Sequence, residues 1–153
     1  MNDRKPAPDK APFTILHVED EPAHAEIVRR NLAALPVAHR LIHIEDGQLA
    51  LDYLFASTGP TPDLILLDLR LPKVDGLEIL RRIHEDDGIK KIPVVVLTTS
   101  EADLDLVTAF HLGATLYQIK PGNVEIYAKL LDPDPLSDSD TRPNTIRAAW
   151  HRP

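Results

Sequence analysis

Between residues 13 and 131, short apolar runs alternate with stretches whose apolar positions recur every three or four residues. Phe13-Thr-Ile-Leu-His-Val18 leads into Glu19-Asp20-Glu21-Pro22, and a proline in the first turn behind an acidic residue predicts a helix start. The helix that follows sets Val28, Leu32 and Leu35 on one face. Leu41-Ile-His-Ile44 leads through Asp46-Gly47 to a helix with Leu49, Tyr53 and Leu54 inward. Leu64-Ile-Leu-Leu67 ends at Asp68, ahead of a loop through Pro72 and a helix from about Gly76 to Asp86. Pro93-Val-Val-Val-Leu97 ends at Thr98-Thr99-Ser100, and the helix behind it carries Leu104, Val107 and Phe110. Thr115-Leu-Tyr-Gln-Ile119 ends at Lys120-Pro121, and a last helix runs through Val124, Tyr127 and Leu131.

Five strand–helix units in series predict an α/β fold, a three-layer α/β/α sandwich around a five-stranded parallel sheet. The first, third and fourth runs are almost continuously apolar, as strands covered on both faces should be. Sheets of this kind bind their ligands outside the C-terminal ends of the strands. Standing there are Glu19 and Asp20, Asp68, Thr98 and Lys120.

Any one of these residues reads equally well as a turn former or helix cap. As a set they are chemically complementary. Carboxylates within about 4 Å repel by about 4 kcal/mol per pair at an effective dielectric near 20. Such a cluster must take up a proton, find a cation or hold a metal. Oxygen ligands without cysteine or grouped histidines favour Mg²⁺ over zinc. A carboxylate beside Mg²⁺ and a lysine is a nucleophile suited to phosphorus, giving an aspartyl phosphate. The two cations would neutralise the charge that develops on the equatorial oxygens.

Charge and composition narrow the classes further. The 153 residues carry a net charge of −7; residues 1–12 contribute +1 and residues 132–153 contribute −1, so the acidic excess lies wholly in 13–131. Half of the 14 prolines lie in the two ends. The expected organisation is a flexible tail over 1–12, one domain over 13–131 and a C-terminal extension over 132–153 that serves as a partner or dimer arm. No long Lys/Arg run is present, which argues against nucleic acid as a partner. The absence of cysteine excludes disulfides, thiolate metal sites and a cysteine nucleophile. No apolar run approaches the roughly 18 residues of a membrane span, and the polar start lacks a secretory stretch. A soluble cytoplasmic protein is expected, without a second domain to act as its output.

Taken together, Ile15-Leu-His-Val-Glu19-Asp20-Glu21-Pro22, Leu66-Leu67-Asp68 with Leu71-Pro72 and Asp75-Gly76, Leu97-Thr98-Thr99-Ser100 and Ile119-Lys120-Pro121 resemble the receiver domain of two-component response regulators. The resemblance covers 13–131. Within that family the Glu-Asp-Glu-Pro and Leu-Pro-Lys wording is similar to the single-domain regulators paired with bacterial phytochrome kinases. The resemblance implies a flavodoxin-like sheet of strand order 2-1-3-4-5. It also implies a role for each rim residue. Asp68 would accept a phosphoryl group from a phosphohistidine of a cognate histidine kinase, here a bacteriophytochrome. Asp20 would bind Mg²⁺ directly, Glu19 through water, and the backbone carbonyl of Arg70 would be a further ligand alongside Asp68. Lys120 would pair with Asp68 and then with the phosphoryl group. Thr98 would move to a phosphoryl oxygen, opening space into which Tyr117 swings. The signal would leave through the helix after the fourth run, the fifth strand and the last helix, towards a downstream protein or a homodimer.

Other features read more plainly. Glu19 stands where many receivers carry Asp, while Arg70 and Ser100 occupy positions that in this family tune autodephosphorylation. His17 reads as a core or sheet residue and His24 as a solvent-facing helix position; the remaining histidines lack metal-ligand spacing. Ile146 and Trp150 are candidates for covering the sheet's end or meeting a partner. Two alternatives fit the residues less well. A phosphate-transferring hydrolase with an Asp nucleophile resembles the haloacid dehalogenases, which carry a second Asp two residues on, where this chain has Arg70. A phosphorylation-independent docking receiver gains nothing from clustered negative charge. Nucleotide binding lacks either glycine-rich motif.

Overall fold

The computed structural model describes residues 12–56, 59–98, 108, 111–120 and 122–131. Its strands are β1 (Phe13–Val18), β2 (His39–Ile44), β3 (Leu64–Asp68), β4 (Val94–Thr98) and β5 (Leu116–Ile119). The helices among the described residues are α1 (Pro22–Leu32), α2 (Gly47–Ala56), α3 (Gly76–His84) and α4 (Val124–Leu131). All strand pairs are parallel, in the order β2-β1-β3-β4-β5. The expected fold and strand order are thus the observed ones. The helix expected through Leu104, Val107 and Phe110 lies outside the described residues, as do Thr99, Ser100, Pro121, Ile146 and Trp150.

Alternation along the strands feeds two cores, one on each face of the sheet. Leu16, Val18, Ile65, Leu67, Val94 and Val96 meet α2 and α3 through Leu51, Leu54, Ile79, Leu80 and Ile83. Ile15, Leu64, Leu66, Val95, Leu97 and Leu116 meet α1 and α4 through Val28, Leu32, Tyr127 and Leu131. Every residue of β3 and β4 is buried, which accounts for their unbroken apolar sequence.

Helix α1 begins at Pro22, as its missing N–H permits. Helix α3 is capped by Asp75, whose carboxylate accepts the Glu78 N–H at 3.0 Å. Gly76 lies so close to the end of β3 that a Cβ there would fall 2.3 Å from the Asp68 carbonyl oxygen and 2.6 Å from the Leu69 Cα. This contact sets the course of the chain leaving Asp68. Helix α2 departs from expectation, because Leu49 faces outward at 53% exposure while Ala50, Leu51 and Leu54 turn inward. In the sequence Leu-Ala-Leu-Asp-Tyr-Leu two helical faces carry apolar residues, and the one bearing Ala50, Leu51 and Leu54 is the one buried.

Candidate functional site

The sheet delivers its polar residues to one rim. The Glu19 N–H, just past β1, donates to the Ile44 carbonyl at 2.9 Å, and the Lys120 N–H, just past β5, donates to the Thr98 carbonyl at 2.9 Å. These bonds continue the ladders by one residue and hold both side chains at the strand ends. A carboxylate oxygen from each of Glu19, Asp20 and Asp68 lies within 4.8 Å of the other two. Glu19 and Asp68 are buried, whereas Asp20 is exposed at the mouth.

Lys120 neutralises the inner part of this cluster. Its Nζ lies 2.7 Å from Glu19 Oε1 and 3.2 Å from Asp68 Oδ2, with the three side chains only 7%, 1% and 7% exposed respectively. The remaining oxygens are also engaged: Glu19 Oε2 accepts the Glu21 N–H at 3.1 Å and Asp68 Oδ1 accepts the Arg70 N–H at 3.1 Å. Burial pushes the Glu19 carboxyl above its ordinary value, against the pull of the Lys120 hydrogen bond, and the Asp68 charge adds to the rise. One ammonium thus faces two buried carboxylates and a third at the surface. The excess negative charge, borne on hard oxygen atoms at the mouth, fits a divalent cation of the Mg²⁺ type.

Thr98 is buried at the end of β4, the strand that borders both β3 and β5. Tyr117 is buried on the sheet face that carries α2 and α3, three residues before Lys120. Gly122, at φ +89°, turns the chain after Lys120; a Cβ there would overlap the Tyr127 hydroxyl at 2.0 Å. The sheet therefore gathers Glu19, Asp20, Asp68, Thr98 and Lys120 on its carboxyl rim, with Arg70 tied by its N–H to Asp68.

Two histidines have positions that sequence reasoning missed. His43 Nε2 lies 2.8 Å from the Glu19 carbonyl oxygen; the carbonyl only accepts, so Nε2 carries the proton. His24, expected on a solvent-facing position, is half-buried with Nδ1 3.5 Å from Lys120 Nζ. Its place in the first turn of α1 was the available signal, since that turn starts at the rim. His17 is the core residue expected, 1% exposed, with its ring centroid 5.7 Å from that of His43. Burial drives its pKa from 6.5 down to about 3, with His43 and Lys120 adding to the fall.

This fold, with Glu19, Asp20 and Asp68 clustered beside Lys120 and Thr98 on its carboxyl rim, defines a class of signalling domains switched by phosphorylation at an aspartate. The chain belongs to the response regulator receiver domain family, whose profile matches residues 15–131. It is 46% identical over 117 residues to the probable methanogenesis regulatory protein FilR2 of Methanothrix harundinacea, covering 74% of this chain and 76% of that protein. It is 39% identical over 124 residues to the response regulator Rcp1 of Synechocystis, covering 78% of this chain and 84% of Rcp1. The crystal structure of Mn²⁺-bound Rcp1 superposes with a TM-score of 0.69 over 78% of this chain and 89% of that one. That of the phosphorylated cyanobacterial phytochrome response regulator RcpA, 37% identical, gives 0.69 over 79% and 89%. The resemblance read in the sequence is therefore the family found. Among the described residues no helix is long and apolar enough to cross a membrane.

Proposed function

We propose that Asp68 is the phosphoacceptor of a cytoplasmic signalling switch, and that the phosphoryl group comes from a phosphohistidine of a sensor kinase. The observation that carries this reading is the placement of the Lys120 ammonium, within 3.2 Å of Asp68 and 2.7 Å of Glu19, behind an acidic mouth. A carboxylate oxygen of Asp68 attacks phosphorus; the P–O bond forms as the P–N bond to the kinase imidazole breaks, and the electron pair leaves on that nitrogen. The Arg70 N–H, on Asp68 Oδ1, orients the carboxylate for this attack. Glu19, Asp20, Asp68 and the Arg70 carbonyl are the residues that would hold Mg²⁺, which supplies positive charge for the phosphoryl oxygens. As the transfer proceeds, Lys120 gives up its pairing with Asp68 for one with a phosphoryl oxygen. Thr98 donates its hydroxyl to another, and Tyr117 follows into the space vacated.

The chain's own chemistry is confined to this transfer and to hydrolysis of the aspartyl phosphate, which releases inorganic phosphate. Relatives described as phytochrome response regulators support a bacteriophytochrome as the kinase. The signal then passes to a protein partner or a second copy of the chain. Incubation with Mg²⁺ and acetyl phosphate tests the proposal: one acid-stable, base-labile phosphoryl group per chain is expected. Labelling that persists in Asp68→Asn, or in excess chelator, would remove its basis.

A further inference from the structure

The Lys120 ammonium has three N–H donors and no acceptor, and it ends a side chain only 7% exposed, at a site that must change partners during the reaction. Glu19 and Asp68 take two of its directions, and the His24 ring approaches along another, with Nδ1 at 3.5 Å. An ammonium can only donate, so the ring nitrogen facing it must present a lone pair. His24 is thereby held with its proton on Nε2. The ring comes from α1, whose start at Pro22 is anchored only three residues after Glu19, so it is carried on a rigid element.

The partners of Lys120 are unequal in what they do next. Both carboxylates belong to the acidic cluster, so a divalent cation there draws on the same oxygens that hold the lysine. The imidazole of His24 lies outside that cluster, so its lone pair stays available to the ammonium when the carboxylates are shared. We infer that His24 is a positioning residue for phosphoryl transfer, holding Lys120 on its course to the phosphoryl oxygens. This rests on Asp68 being the phosphoacceptor.

Its test has two arms in the full chain. Nitrogen NMR of the unphosphorylated protein reads the His24 contact: Nδ1 is unprotonated and Nε2 protonated in the wild type, and the Nδ1 resonance moves towards that of a lone pair without a donor in Lys120→Met. Acetyl phosphate labelling reads the consequence. Leucine keeps the bulk without an acceptor, so His24→Leu should label about fivefold more slowly, a change of roughly 1 kcal/mol as for one hydrogen bond. His24→Asn places an amide oxygen near the Nδ1 position and should return to within about twofold of wild type. The slowing should appear in the maximal rate, with the Mg²⁺ midpoint and the donor concentration for half-maximal rate unchanged. A proton on Nδ1, wild-type labelling by His24→Leu, or a slowing matched by an equal loss of Mg²⁺ affinity would each overturn the assignment. Should the wild type itself not label, the phosphoacceptor reading fails, and the change of the Nδ1 resonance between wild type and Lys120→Met decides whether His24 holds Lys120.

Discussion

Replacing Glu19 with glutamine keeps the shape of the rim but removes one buried charge, and its effect on stability should reverse when metal is added. The Lys120–Glu19 pair at 2.7 Å is worth about 6 kcal/mol at an effective dielectric near 20. Each neighbouring carboxylate within 4.8 Å opposes it by about 3 kcal/mol or more on the same footing. Those contributions nearly cancel, which leaves the desolvation of a side chain 1% exposed to decide the sign. Its direction is already visible in the raised Glu19 carboxyl. Glu19→Gln should therefore be the more stable protein in chelator at pH 7, by about 1–2 kcal/mol. A carboxyl that binds its proton more tightly when folded makes the wild type lose stability as pH rises above its ordinary value of 4.5. The gap should thus close towards pH 4. With Mg²⁺ at 100 times its Kd the wild type gains about 2.7 kcal/mol, the variant gains less, and the order inverts. Urea unfolding across pH, with and without Mg²⁺, reads all three effects. A wild type that is at least as stable as the variant in chelator at pH 7 would refute the reasoning.

The neutral, buried His17 has its pKa lowered to about 3, so the unfolded chain binds the extra proton between there and 6.5. Wild-type stability should fall with acidification across that window by up to about 1.4 kcal/mol per pH unit, and urea midpoints of His17→Leu should show a flatter acid limb. Asp20→Ala removes a like charge that opposes Glu19 and Asp68 and should raise stability in chelator by about 1 kcal/mol or more; its melting temperature should no longer rise with Mg²⁺. Gly76→Ala forces a methyl against the Asp68 carbonyl and should cost roughly 2–3 kcal/mol in urea unfolding.

Much of this site was legible because parallel sheets put chemistry where apolar runs stop. Asp68, Thr98 and Lys120 each close an apolar run, and the register that pairs Asp68 with Leu97 and Thr98 with Ile119 brings those ends level. The packing of α2 was less legible, since Leu49, Ala50, Leu51, Tyr53 and Leu54 offer two apolar faces and only the sheet surface chooses between them. The roles of His24 and His43 depend on contacts across 96 and 24 residues, to Lys120 and Glu19. Periodicity carries no such information. His24 could be placed on a helix but not opposite Lys120, and the pairing of His43 with His17 follows only once β2 is set beside β1.

Chemical trapping decides most directly whether the carboxylate of Asp68 becomes an acyl phosphate. Borohydride reduces an aspartyl phosphate to homoserine, so trapping after acetyl phosphate treatment, followed by peptide mass spectrometry, locates the modified residue. Homoserine is expected at position 68, dependent on Mg²⁺ and absent without the phosphodonor. Homoserine at another acidic residue, or an unmodified Asp68 in protein that has taken up phosphate, would contradict it.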